Sequence, residues 1–173
     1  TSRILLVVAA IALGAYLLFD RAPRRDEEEA AAGFATFNMA RVDDVTLQRA
    51  DATIRFARAD SAWRMIEPLA GIAEPAMVIS LLDALEHADV ARNLGATDDL
   101  APFGLDPPEV RITLRAGADT LLSVSLGNGT VDAAWTYALR AREKNLLLVP
   151  TYVARAASLP MDAYRNQRVL DFQ

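Results

Sequence analysis

Apolar and polar residues alternate with a period of two through long stretches of this chain, a pattern typical of strands that bury one face. In the first run, VTLQRA, the apolar positions are Val45 and Leu47, and the run ATIRFARA repeats the alternation. The short ADA stretch between the two runs predicts a hairpin turn. A third strand, WRMIEP, is expected to end at Pro68, because proline cannot donate a hydrogen bond to a neighbouring strand.

A different period follows in the segment EPAMVISLLDALEHA. Its apolar residues recur every three or four positions, which predicts a helix with one apolar face. Pro75 falls in the first turn, where a proline is tolerated because its missing N–H would have no partner within the helix. The apolar positions of this helix are Met77, Val78, Leu81, Leu82 and Leu85.

The same order of elements recurs farther along the chain. VRITLRAGADTLLSVSLG predicts a hairpin that turns at Ala116 to Asp119, TYALR and NLLLVP predict strands, and TYVARAASL predicts a short helix. Each half reads hairpin, strand, proline, helix, with WRMIEP corresponding to NLLLVP. We interpret this as an internal β-β-β-α duplication with halves at about 42–95 and 108–162; an accidental resemblance of two hairpins is the alternative. The predicted fold class is α+β, with helices covering one face of an antiparallel sheet.

The N-terminal region contains an uncharged apolar run from Ile4 to Phe19, between Arg3 and the charged stretch DRAPRRDEEE. Such a run rises about 24 Å as a helix, less than the roughly 30 Å of a bilayer's hydrocarbon core, so flanking side chains have to help it span. We expect a retained single transmembrane helix. A cleaved signal peptide is the alternative, and no small-residue cleavage motif follows the run. The expected lipid contacts are Ile4, Leu5, Leu6, Val7, Val8, Ile11, Leu13, Tyr16, Leu17, Leu18 and Phe19.

The flanks of this run leave its orientation open. Arginines 21, 24 and 25 follow the run and only Arg3 precedes it, which by the positive-inside rule would keep the rest of the chain in the cytoplasm. Short N-terminal anchors commonly leave their amino end inside, so we expect a single-pass protein of the bacterial inner membrane with a periplasmic main domain. The expected organisation is an anchor at residues 1–25, a charged and alanine-rich linker at 26–41, and an extramembrane domain at 42–173.

Composition narrows the classes of function. The formal net charge is −5, which argues against nucleic acid as a partner, since a clustered basic surface is needed to neutralise phosphates. The chain has no cysteine, so disulfides, thiolate metal sites and thiol nucleophiles are excluded.

No constellation of residues indicates catalysis. The single histidine, His87, ends the clearest helix without a serine or paired carboxylate at a meaningful spacing, and a polar helix terminus explains it. The stretch LGNGTVDAAW predicts a hairpin turn, because a phosphate loop would continue into GK[ST] and a helix. We therefore predict no catalytic residue, no cofactor and no metal. The carboxylate pairs, which lack calcium-loop spacing, are Asp43/Asp44, Asp98/Asp99 and Asp106/Glu109.

The stretch DLAPFGLDPPEVRITL, from Asp99 to Leu114, joins the two predicted halves. It is either an active-site loop or a rigid connector. Gly104 can adopt the positive φ that a tight turn requires, and Pro107 and Pro108 stiffen the entry into the next strand. These residue types favour the connector.

Aromatic residues and the C-terminal segment are candidates for partner contacts. Trp63 is expected in the core, whereas Trp135 suits either a core or a docking surface. The segment MDAYRNQRVLDFQ ends in apolar residues, which need to pack on their own domain or on a partner. The candidate contact residues are Trp135, Tyr137, Tyr164, Arg165, Arg168, Leu170 and Phe172.

Several of these stretches together resemble a known family. WRMIEP, SLLDALEHADVARNL, DDLAPFGLDPPEVRITL, LSVSLGN, TYALR, LLLVP and YRNQRVLDF resemble, in this order, domain of unknown function 4340, a bacterial family. The FGLDPP core and the RVLDF ending are the most specific pieces. The resemblance implies an anchored, periplasmic protein, many of whose relatives are encoded beside transporter components of the gliding-motility type, and it supplies no catalytic residues.

Two functions fit these expectations. The first is a non-enzymatic accessory or structural subunit, in contact with membrane lipid and with other subunits of a transport, respiratory or photosynthetic reaction-centre and antenna complex. The second is a ligand-binding auxiliary of a gliding-type ABC transporter, with a cleft between the halves. Arginines 111, 140 and 142 are the candidates for lining that cleft.

Overall fold

A computed structural model of the protein describes residues 33–60 and 62–166. Within these ranges the chain is mostly antiparallel sheet with two α-helices, which confirms the α+β class at this level. The helices are α1 (Pro75–Glu86) and α2 (Thr151–Ala157). The strands are β1 (Asp44–Arg49), β2 (Thr53–Ala59), β3 (Ala62–Glu67), β4 (Gly71–Ile72), β5 (Arg92–Ala96), β6 (Val110–Ala116), β7 (Asp119–Gly129), β8 (Trp135–Arg140) and β9 (Asn145–Pro150).

A central strand pair joins the two halves of the chain. The sheet order is β4-β3-β2-β1-β6-β7-β8-β9-β5, and β1 pairs with β6 from Asp44 opposite Arg115 to Arg49 opposite Val110. Leu47 and Ile112 face each other in this pair and are fully buried on the helix side of the sheet. The alternation read from the sequence therefore places the inner residues of both halves in one layer.

The helices cover one face of the sheet and close the core. The predicted apolar face of α1 is confirmed, and α2 packs beside it with Val153 and Ala157 buried. Burial of a leucine side chain contributes roughly 2 kcal/mol, so the α1 face is a major stabilising contribution. The fully buried α1 residues are Val78, Leu81, Leu82 and Leu85.

Each half contains four strands before its helix, so the repeated order is β-β-β-β-α where β-β-β-α was predicted. All four strands of the second half were predicted, and β4 is the additional strand of the first half. Strands β1 to β4 lead to α1, and β6 to β9 lead to α2, each series running outward from the central pair. By position in the sheet, WRMIEP in β3 corresponds to TYALR in β8, not to NLLLVP in β9 as the sequence comparison proposed. The counterpart of β9 is β4, whose two residues are too short to show a period.

Strand β5 was not predicted, and it links the two halves a second time. It follows α1 in the first half but pairs with β9 at the far edge of the sheet. Its sequence, RNLGA, is almost entirely exposed and shows no apolar alternation. A strand that buries so little on either face leaves no hydrophobic pattern in the sequence.

Residues 33–43, which precede β1, pack on the domain. The Phe34 side chain is fully buried, and its backbone N–H donates to the carbonyl oxygen of Ala88 at 2.8 Å. Arg140 donates from Nε to the Phe34 carbonyl at 2.9 Å and from Nη2 to the Gly33 carbonyl at 3.1 Å. The packed domain thus includes residues assigned above to the linker, which was expected to extend to residue 41.

No helix in residues 33–60 or 62–166 is long and apolar enough to cross a membrane. The predicted anchor, Ile4 to Phe19, lies outside the described residues.

Tyr164 was predicted to contact a partner, and the structure corrects this. Its side chain is fully buried, its ring lies 5.2 Å from that of Phe56 between centroids, and its hydroxyl donates to the carbonyl oxygen of Ala156. Burial raises the pKa of Tyr164 to about 12, because the phenolate would lose its hydration in the core. A tyrosine so enclosed holds the segment after α2 against the sheet.

This burial predicts a loss of stability in alkali. The folded-state pKa of Tyr164 is raised above the ordinary value of 10.0, so the stabilisation is present below pH 10 and is lost as the pH rises towards about 12. We expect the free energy of unfolding from urea titrations to fall by on the order of 2 kcal/mol over this interval. Tyr164→Phe should remove most of the decline. Burial also raises the pKa of the half-exposed Tyr152, but less than that of Tyr164, so the control Tyr152→Phe should preserve most of it. An unchanged alkaline decline in Tyr164→Phe would contradict this assignment.

Candidate docking surface

The sheet face opposite the helices carries Trp135 and Tyr137, whereas Trp63, which was expected in the core, is buried there. In β8, Thr136 and Ala138 are buried towards the helices, so Trp135 and Tyr137 point to the other face, where both are partly exposed. Tyr137 lies opposite Leu148 of β9, which in turn lies opposite Arg92 of β5. Register therefore assembles side chains from three strands on this outer face.

A shallow open depression of about 670 Å³ lies over these residues. We call five of its exposed or partly exposed side chains the outer patch, defined as Arg92, Val131, Trp135, Tyr137 and Leu148. Val131 projects completely into solvent, and Arg92 forms no ion pair with the described residues. The outer patch thus combines aromatic and aliphatic surface with an exposed cation.

A hydrogen-bonded loop fixes the position of Trp135. The Thr130 N–H donates to the Trp135 carbonyl at 2.8 Å, and the Trp135 N–H donates to Thr130 Oγ1 at 3.1 Å. Within the loop, the Asp132 carboxylate accepts from Thr130 Oγ1 and from the Ala134 N–H. These two hydrogen bonds stabilise the carboxylate and lower the pKa of Asp132, and the bond from the Thr130 hydroxyl has the larger effect. The loop consequently holds its tip, Val131, in one place.

The connector between the halves packs behind the outer patch. A 3₁₀ turn at Ala101–Phe103 brings the Phe103 ring within 4.9 Å of the Tyr137 ring, and Gly104 has the expected positive φ of 66°. Leu105 is buried and Gly127 of β7 lies directly under the turn. The stretch predicted to be a rigid connector thus packs on β7 and β8, where the Phe103 ring supports Tyr137.

The other sequence candidates do not assemble into a reactive site. His87 ends α1, with Nδ1 3.2 Å from Asp83 Oδ1 and both side chains exposed, as a polar helix terminus should be. The stretch LGNG is the end of β7, and the turn predicted there follows it at residues 130–134. Among the described residues, no group of three histidine or carboxylate side chains is placed to hold a metal ion.

The three arginines proposed for a cleft have separate environments. Arg140 is committed to the carbonyls of residues 33 and 34 and to Glu143, at 3.3 Å. Arg142 lies in the β8–β9 turn, and Arg111 lies on β6 with Nε 3.4 Å from Ser125 Oγ. A depression of about 900 Å³ includes Arg140 and Arg142 but not Arg111, and it lies within the second half rather than between the halves.

The predicted partner contacts fall into three groups. Trp135 and Tyr137 come together in the outer patch. Arg165 lies at the opposite edge of the sheet, in a single antiparallel bridge with Ala73 next to β4. Arg168, Leu170 and Phe172 lie outside the described residues. Sequence reasoning missed Arg92, Val131 and Leu148. Arg92 reaches the outer patch through strand pairing and Val131 through the 130–134 loop, neither of which is visible in the sequence. Leu148 belongs to the continuous apolar stretch NLLLVP, whose pattern does not reveal which residues face outward.

In the described residues, the fold and surface define a helix-backed antiparallel sheet that carries a partly exposed aromatic patch. A family model described as "Domain of unknown function (DUF4340)" matches residues 63–173, which is more than half of the chain. The protein belongs to this family. No curated protein and no solved structure matches the chain.

Because the connector packs closely on β7, the addition of a single methyl group at Gly127 should lower the stability of the fold. An added Cβ at Gly127 would lie 2.2 Å from the Phe103 carbonyl oxygen, so Gly127→Ala has to displace the connector. We expect a loss of about 2 kcal/mol in urea-induced unfolding, in the range of overpacking substitutions. At Gly129 the nearest atom would be 3.7 Å away, and Gly129→Ala is the matched control with a small effect. Equal stabilities of the two variants would contradict the close approach.

Proposed function

We propose that this protein is a non-enzymatic accessory subunit of a larger bacterial membrane complex. A single N-terminal helix, Ile4 to Phe19, anchors it in the inner membrane and contacts lipid and neighbouring subunits, and the periplasmic domain docks on the complex and stabilises it. The host is a transport, respiratory or photosynthetic reaction-centre and antenna assembly. The observation that carries the proposal is the outer patch, an aromatic surface held in a rigid frame.

The chemistry of the outer patch suits a protein partner. Tryptophan, tyrosine and arginine are the residues that most often dominate binding energy at interfaces, where a few residues contribute most of the affinity. Trp135 and Tyr137 are already held by the 130–134 loop and by Phe103, so little side-chain entropy is lost on docking. The exposed Arg92 favours a partner that presents a carboxylate beside its apolar surface.

We also propose that the two halves arose by internal duplication. The support is their common order, in which four antiparallel strands lead outward from the central pair to a helix. On this proposal the helix before the domain, the linker and the duplicated sheet together form a membrane-attached platform.

The ligand-binding auxiliary is less well supported than the accessory subunit. It requires a cleft between the halves, whereas β1 and β6 join them as neighbouring strands of one sheet. Arg140, one of the three arginines proposed for that cleft, is engaged by backbone carbonyls instead.

Co-purification of the full chain from its native membrane tests the docking proposal. Mild-detergent extraction followed by mass spectrometry should recover stoichiometric membrane partners, and deletion of residues 1–25 should reduce their recovery. Val131→Asp places a charge on the most exposed side chain of the outer patch and should lower recovery at least about tenfold, a difference of ~1.4 kcal/mol.

The matched control for this experiment is Ile79→Glu, a charge placed on an exposed apolar residue of α1, on the helix side of the domain. This variant should retain its partners. A protein that purifies alone, or equal losses in the two variants, would contradict docking through the outer patch.

A further inference from the structure

The depression of about 900 Å³ in the second half of the domain lies where β8 ends beside β7. Strand β7 pairs with β8 only from Val124 onward, and the Ala141 N–H donates to the Ser123 carbonyl at 2.8 Å where that pairing ends. In the described part of the chain, β6 is therefore the only strand paired with residues 119–122 of β7. We call the depression between these residues and the β8–β9 turn the β7 notch.

Strand register brings one arginine and three hydroxyl groups to the β7 notch. Thr113 and Arg115 point to the same face of β6, because they are two positions apart. Ser123 lies opposite Thr113, and Thr120 lies opposite Arg115. Leu121 is an additional residue of β7 at this point, a β-bulge of the kind that changes the direction of neighbouring side chains. The four polar side chains thus line the notch from one side.

A second arginine lines the β7 notch from the β8–β9 turn. Arg142 has a φ of 68°, a conformation in which glycine or asparagine is usual at a hairpin turn, so the turn itself gives no reason for an arginine. Arg115 and Arg142 are both exposed, and neither guanidinium group forms a hydrogen bond or an ion pair with the described residues. Two guanidinium groups are therefore available at one depression.

A local excess of positive charge distinguishes the β7 notch from the chain as a whole. Its lining includes a third arginine, Arg140, and the two carboxylates of Asp119 and Glu143. Arg140 and Glu143 neutralise each other through an ion pair of 3.3 Å. This leaves Arg115 and Arg142 against the single carboxylate of Asp119, in a chain whose formal net charge is −5.

We propose that the β7 notch binds a phosphate group, with the guanidinium groups of Arg115 and Arg142 as charged donors and the three hydroxyls as neutral donors. Guanidinium groups bind phosphate through two parallel hydrogen bonds. The oxygens of a phosphate form a tetrahedron, so they can accept from β6 and from the β8–β9 turn at the same time, whereas the oxygens of a carboxylate lie in one plane. The site goes beyond the docking proposal, because none of its residues belongs to the outer patch.

Two sources of phosphate suit this location, the free anion and the headgroup of a phospholipid. A neighbouring depression of about 250 Å³, lined by residues 33–36, shares Leu122, Arg140 and Glu143 with the β7 notch. The chain therefore enters the described domain beside the notch, and residues 20–32 separate this point from the proposed anchor. The lipid source rests on that anchor, whereas binding of the phosphate group itself does not.

An NMR titration of the full chain in a phosphate-free, non-ionic detergent tests the site. Inorganic phosphate, exchanged for chloride at constant ionic strength, should shift the amide resonance of Ser123 saturably. Arg115→Gln combined with Arg142→Gln should weaken this binding at least about tenfold, since it removes both charged donors. Arg64→Gln with Arg155→Gln is the matched control, which removes two exposed arginines outside the notch and should leave binding unchanged. Amide resonances remote from the substitutions verify that each variant is folded.

Short-chain phosphatidylglycerol, titrated in the same way, distinguishes the two sources. Tighter binding of this lipid than of inorganic phosphate would assign a lipid headgroup, and tighter binding of inorganic phosphate would assign the free anion; both results support the site. The absence of a saturable shift, or equal binding by the double variant and the control, would overturn the proposal. Failure of docking through the outer patch would leave these results unchanged, because the two proposals use different surfaces.

Discussion

The antiparallel pairing of β1 with β6 is the constraint on which the rest of the structure depends. Each half alone would be a short meander with one helix and an exposed central edge, and such edges tend to associate. The pairing removes both edges, aligns the buried Leu47 and Ile112, and brings α1 and α2 together on the same face. One core then serves both halves, which raises the fraction of apolar surface that a chain of this size can bury.

The helices α1 and α2 cover one face of the sheet, and the opposite face is partly polar and partly covered by the connector. Over the central strands it is polar, with Arg111, Thr113 and Arg115 pointing outward from β6. Over β7 and β8 the connector packs against it through Phe103. The outer patch is where aromatic side chains extend beyond the connector, which is why it is the candidate for docking.

Sequence periodicity predicted the parts of the fold that bury one continuous face. The α1 residues and the hairpins of both halves have such faces, and their positions were correct. Strands β4 and β5 were missed because one has two residues and the other buries almost nothing. Tyr164 was assigned to a partner surface, since one aromatic residue near the end of a chain carries no periodic signal of burial. In the candidate site, Trp135 and Tyr137 were visible as aromatic residues in a strand, whereas Arg92 and Leu148 joined them only through the pairing of β5 with β9.

The central claim, that the β1–β6 pairing makes the two halves one cooperative unit, is tested most directly by hydrogen exchange. The measurement follows the backbone amides of β1 and β6 in the full chain at increasing, sub-denaturing urea concentrations. The account predicts that Leu47 and Ile112 exchange only through global unfolding, with the same free energy and the same dependence on urea. Exchange of one of these strands at a clearly lower free energy than the other would show that the halves unfold separately, and it would contradict the account.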